Sequence, residues 1–145
     1  MKILIKGGRV VDPKNDFDKV ADVLVDNGVI SEIGENINAN GDVTVIDAEG
    51  KIVSPGLVDM HSHLRDPGQE YKEDIESGTR SAAMGGITSI ACMPNTKPVT
   101  DSEPIVTYIK TKAKEVGHVN VYPIGSISKG LEGCLLYTSD AADDL

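Results

Sequence analysis

The apolar positions of the chain fall into two textures that meet near residue 53. Before that point they come in short clusters with polar or glycine-rich punctuation. Ile3-Leu4-Ile5 precedes Gly7-Gly8, a pair that predicts a turn. Val23-Leu24-Val25 and Val29-Ile30 flank Asp26-Asn27-Gly28. An Asn-Gly pair between apolar runs predicts a hairpin, because both residues tolerate positive φ. Val43 to Ile46 predicts another strand. Residues 1–53 therefore read as the portion of a small β-domain. Such a sheet is too small to bury much by itself and calls for further strands from elsewhere.

From Ile52 onward the spacing changes. Leu57-Val58-Asp59-Met60-His61 predicts a strand leaving the Pro55-Gly56 turn. Glu70 to Met84 predicts a helix whose early residues Glu70, Glu73, Asp74 and Glu76 suit the positive end of its dipole. Gly85-Gly86 stops it, and Ile87 to Met93 predicts a buried strand ended by Pro94. Asp101 or Ser102 is placed to cap a second helix, with Glu103 and Pro104 in its first turn. Ile105, Ile109, Lys112-Ala113 and Val116 mark one face of that helix, and Gly117 ends it. Val119 to Ile124 predicts a third strand. Alternating strands and helices define an α/β class with a parallel sheet. Three strands leave such a sheet incomplete, since a closed (β/α)8 barrel takes about 250 residues. Residues 54–133 are thus expected to hold only the first β/α units of a larger domain.

Residues 134–145, CLLYTSDAADDL, break the texture again. They resemble translated adapter sequence at the end of a reading frame; a frayed acidic terminus is the alternative.

Composition narrows the field. At 39% hydrophobic residues a packed core is expected, and with 3% aromatics and no Trp it must be aliphatic. A net charge of −9 repels phosphate backbones, which argues against nucleic-acid partners. No apolar run approaches the ~18–20 residues of a membrane span, and MKILIKGGRVVDP lacks a signal-peptide core, so no membrane partner is expected. Cys92 and Cys134 lie in unrelated contexts, which fits a reducing cytoplasm better than a disulfide framework.

The chemistry-bearing residues gather at the exit of the first strand of the second segment. His61 and His63 alternate, so an extended chain points them to one side, and Arg65 with them if the extension continues. At the C-terminal mouth of a parallel sheet that side lines the usual active-site position. Two imidazoles there can share a divalent metal, and zinc suits them. A His-x-His pair alone is weak support; its place before an Arg and an Asp-Pro-Gly turn gives it weight. Asp59 has two readings, orienting a ligand imidazole or a polar-core or strand-edge role. His118 precedes the third strand and is expected to be an exposed loop residue. Cys92 is most simply a small core residue.

The run Asp59-Met60-His61-Ser62-His63-Leu64-Arg65-Asp66-Pro67-Gly68 resembles the first metal motif of dihydroorotases within the amidohydrolase superfamily. Val53-Ser54-Pro55-Gly56-Leu57-Val58, Gly85-Gly86-Ile87-Thr88 and Ala91-Cys92-Met93-Pro94-Asn95-Thr96 are similar to the family's barrel entry and its second strand and loop. The resemblance covers residues 1 to about 133. It implies a (β/α)8 barrel preceded by a small β-sheet domain, both truncated here. It implies His61 and His63 as zinc ligands, and His63, Arg65 and Asn95 as contacts to a small-molecule substrate whose carboxylate Arg65 and Asn95 would bind. One or two Zn2+ ions are implied for the intact enzyme. The remaining ligands and an Asp general base would lie past the end of this chain, leaving the fragment inactive. The implied reaction is interconversion of dihydroorotate and carbamoyl aspartate in pyrimidine synthesis, in the cytoplasm, by a homo-oligomer or in association with aspartate transcarbamoylase. Two other readings are an allantoinase- or hydantoinase-type hydrolase and a non-catalytic partner of aspartate transcarbamoylase. The Arg65–Asn95 pair weighs against the first, and the intact His61 and His63 against the second.

Overall fold

The Gly7-Gly8 pair lies inside a strand instead of ending one. In the computed structural model, which describes residues 1–133, β1 runs unbroken over Lys2–Asp12. It pairs antiparallel with β2 (Phe17–Asp26), and the register gains one residue on β1 between Ile5 and Gly8. The glycines thus form a β-bulge and not the expected turn. Gly7 adopts φ +68°, and its N–H donates to Asp22 Oδ1 at 2.9 Å. Gly8 leaves no room for a side chain, since a Cβ there would meet Val53 Cγ2 at 2.5 Å. Asp22 is buried and also accepts from the Ile37 N–H at 3.0 Å, so one carboxylate fastens the bulge and a distant loop.

The expected hairpin is present. Asn27 and Gly28 take φ +50° and +81°, and β2 turns into antiparallel β3 (Val29–Gly34). Parallel pairing of β4 (Val43–Asp47) and the short β5 (Ile52–Val53) with β1 completes a five-stranded sheet of order β3-β2-β1-β4. Val10, Ala21 and Val23 form its buried cluster. Contacts separate this unit, Met1–Pro55, from a second that begins at Gly56.

The second unit is α/β. Strands β6 (Leu57–Ser62), β7 (Ile87–Cys92) and β8 (Asn120–Pro123) form a parallel sheet in that order. Helices α1 (Ile75–Met84) and α2 (Glu103–Val116) connect them. Leu64, Ile75, Ala82, Ile90, Cys92 and Ile109 form the buried core, and Ile105, Ala113 and Val116 of α2 pack on it. Full burial of a Leu or Ile side chain, as at Leu64, Ile75, Ile90 and Ile109, contributes about 1.5–3 kcal/mol.

Helix α1 starts five residues later than the acidic run predicts. Asp74 is its N-cap, in a capping box with Ser77: the Asp74 carboxylate accepts the Ser77 N–H at 2.7 Å. Glu70 instead folds back to accept the Gly68 N–H at 2.7 Å, and so belongs to the preceding loop. Lys112 also departs from its expected place on the apolar face of α2, for the reason given below. No helix among the described residues is long and apolar enough to cross a membrane. Cys134 and the atypical tail lie outside the described residues.

Candidate metal and substrate site

Strand β6 carries His61, and His63 follows one residue beyond its end. The strand does not keep strict alternation: its register on β7 shifts between Asp59 and Ser62. The imidazoles are nonetheless brought together, with ring centroids 5.4 Å apart in an edge-to-face arrangement. His61 is exposed and His63 half-buried. Asp59 Oδ1 accepts the His61 main-chain N–H at 3.0 Å. The carboxylate thus ties backbone at the irregularity.

The chain then turns. Arg65 sits at φ +61°, outside the extended region, and its carbonyl accepts the Gln69 N–H at 3.0 Å. The expectation that extension carries Arg65 onto the histidine side by strand alternation is therefore corrected. The chain bends into a short loop, and the next residue, Asp66, is buried beneath it. Arg65 is half-buried and forms no ion pair with a described residue.

Asn95 reaches the site from the loop after β7. Its Oδ1 lies 2.8 Å from His63 Nδ1. An amide oxygen facing the ring can only accept, so Nδ1 is the donor of this contact. The Asn95 loop is well braced: the Thr96 and Thr100 N–H groups both donate to the Pro94 carbonyl, at 2.8 and 3.0 Å. It is also tied to the β6 exit, with the Met93 N–H donating to Ser62 O at 2.8 Å and the Lys97 N–H to Pro67 O at 2.9 Å.

Behind the loop is a polar cluster that sequence reasoning missed. Asp66 is 1% exposed. Its Oδ2 pairs with Lys112 Nζ at 2.6 Å, and its Oδ1 accepts from the Tyr108 hydroxyl at 3.0 Å. The bond to Asp66 raises the Lys112 pKa above the ordinary lysine value; burial, then Asp66, raises that of Tyr108. The available signal was the i, i+4 spacing of Tyr108 and Lys112, which puts a hydroxyl and an ammonium on one helix flank. His118, by contrast, is exposed as expected, its N–H donating to Thr79 Oγ1 at 3.1 Å. Cys92 is a core residue whose thiol burial pushes up to about 11.

A catalytic zinc usually takes three protein ligands and keeps a position open. The paired imidazoles, one with its second nitrogen held by an amide oxygen, fit two of those three places. Among the described residues no group of three or more His, Cys, Asp or Glu side chains assembles.

Comparison with known proteins defines the class. Residues 50–141 match the family described as dihydro-orotase-like. The dihydroorotase of Geobacter metallireducens is 58% identical over 136 residues, covering 94% of this chain and 32% of that protein. The dihydroorotase of Acetivibrio thermocellus is 65% identical over 132 residues, covering 90% of this chain and 30% of that protein. Among solved structures, the L-hydantoinase (dihydropyrimidinase) from Arthrobacter aurescens superposes with a TM-score of 0.78 at 32% identity, covering 87% of this chain and 28% of that one. A D-hydantoinase follows with a TM-score of 0.71 at 32% identity, covering 90% of this chain and 29% of that one. The chain belongs to the dihydro-orotase-like family. It spans about a third of the length of the curated relatives it matches.

Proposed function

We propose that the full-length protein carrying this chain is a zinc-dependent dihydroorotase. In this reading it hydrolyses the cyclic amide of dihydroorotate, or closes it from carbamoyl aspartate, in pyrimidine synthesis. The observation that carries the proposal is the convergence of His61, His63 and Asn95 from two neighbouring strand exits, with Arg65 beginning the adjoining loop. The parallel β6-β7-β8 unit is then the opening of a (β/α)8 barrel, whose C-terminal mouth is the usual place for such residues.

His61 and His63 would hold zinc, which when bound lowers the pKa of water and polarises the amide carbonyl. Asn95 has a double role. Its oxygen fixes the His63 tautomer, which leaves its Nδ2 to donate to the substrate carboxylate. Arg65 offers the same carboxylate a planar fork of donors. The chain lacks a candidate for the general base among its described residues, and in this reading that group comes from the rest of the protein, as do further metal ligands.

Hydantoinase activity is the second reading, favoured by the solved structures with high TM-scores. Identities of 58% and 65% to dihydroorotases, against 32% to hydantoinases, favour the first. A non-catalytic partner of aspartate transcarbamoylase is disfavoured because the paired histidines are retained. The deciding experiment is turnover by purified full-length protein of dihydroorotate alongside a hydantoin that carries no carboxylate. Dihydroorotate is expected to be the preferred substrate; preference for the plain hydantoin contradicts the proposal.

A further inference from the structure

Arg65 occupies a left-handed backbone conformation at φ +61°. A long side chain with a Cβ is disfavoured there, and such a conformation persists only where its surroundings over-determine it. The surroundings here are specific. On one side, the loop is pinned to the neighbouring strand exit by the Lys97–Pro67 hydrogen bond of 2.9 Å. Gly68, at φ +91°, lies so close to that exit that a Cβ would stand 1.7 Å from the Lys97 carbonyl oxygen. On the other side, Asp66 is sunk beneath the loop and held by two residues of α2, Lys112 at 2.6 Å and Tyr108 at 3.0 Å. A buried carboxylate stripped of its cation is strongly unfavourable. The position of the residue after Arg65 is therefore dictated by a helix more than forty residues away in sequence.

We propose that Lys112 and Tyr108 are positioning residues that act through Asp66 to set the Arg65 guanidinium for recognition of a substrate carboxylate. The inference rests on the reading of Arg65 as the carboxylate-binding residue. Neither helix residue touches substrate in this arrangement. Their effect is on where Arg65 waits, and so on substrate affinity more than on the reacting atoms.

The test uses full-length protein with Lys112→Met, Lys112→Arg and Tyr108→Phe, read by dihydroorotate kinetics and by hydrogen exchange at the Gln69 and Lys97 amides. Lys112→Met is expected to raise KM roughly tenfold with kcat largely kept, the scale of losing one contact to a charged group. It is also expected to speed exchange at both amides. Lys112→Arg restores both, and Tyr108→Phe shifts both in the same direction by less. Faster exchange with unchanged KM indicates a structural anchor alone and overturns the proposal, as does a loss confined to kcat or no change in either readout. If Lys112→Met does not yield folded protein, Tyr108→Phe, which removes one hydroxyl, decides by the same readouts. Wild-type protein inactive on dihydroorotate contradicts the proposed function instead; unchanged exchange in the variants contradicts the Asp66 anchor in either case.

Discussion

His63 Nδ1 and Asn95 Oδ1 lie 2.8 Å apart although 32 residues separate them in sequence. The contact joins the exits of two adjacent parallel strands, β6 and β7. It ties the Asn95 amide oxygen to the imidazole. An outer partner of this kind fixes ring orientation and raises the basicity of the ligating nitrogen.

Asn95→Ala is therefore expected to weaken zinc affinity of the full-length protein by roughly 10- to 100-fold. Competition with a zinc chelator measures this. Unchanged affinity places Asn95 with the substrate alone.

Arg65→Met tests the other half of the site. A hydrogen bond to a charged group is worth roughly 1.5–3 kcal/mol, so kcat/KM for dihydroorotate is expected to fall on the order of 10- to 100-fold. Zinc content should stay at the wild-type level, because Arg65 lies outside the imidazole pair. Unaltered dihydroorotate kinetics make Arg65 a scaffold residue.

Asp74 caps α1, and the Ser77 main-chain N–H holds its carboxyl below the ordinary aspartate value of 3.8. Asp74→Ala is expected to lower stability of the full-length protein by about 1 kcal/mol, while Asp74→Asn, also a good cap, loses less. The sign with pH follows from a lowered folded-state pKa. The contribution is complete above the ordinary aspartate value and is lost as pH falls through the lower folded one. Denaturant midpoints at neutral and at acid pH measure both effects, and the wild-type advantage over Asp74→Ala should shrink only in acid.

The 145-residue chain by itself is expected to melt without a cooperative transition and to leave dihydroorotate unhydrolysed. Leu57, Val58 and Met60 of β6 are 60%, 64% and 76% exposed, and Val29 and Ile30 of β3 are 66% and 60% exposed. Apolar strands left open in this way favour association over independent folding. A sharp, reversible thermal transition of the monomer, or chelator-sensitive turnover, contradicts this expectation.

Much of the fold was legible because it follows from local rules. Asn27-Gly28 dictated a hairpin, and Gly85-Gly86 and Gly117 marked helix ends. The misreadings arose where a specific hydrogen bond or close packing contact overrode the composition of a segment. Gly7-Gly8 has turn composition, but the Asp22 carboxylate and the close approach of Val53 make it a bulge. Glu70 has helix-start chemistry, yet Gly68 takes its carboxylate into the loop. In the candidate site, the pairing of His61 and His63 was legible from spacing, and Asn95 entered through family resemblance. The turn at Arg65 was not legible, since it accompanies the burial of Asp66 against Lys112 and Tyr108 of α2, contacts that lie more than forty residues away in sequence.

The most direct test of the account is the turnover of dihydroorotate by purified full-length protein, assayed as isolated, after zinc removal and after zinc is returned, with His61→Ala alongside. The account predicts turnover that disappears with the metal, returns with zinc, and is lost in His61→Ala. Turnover indifferent to zinc removal, or retained in His61→Ala, contradicts it.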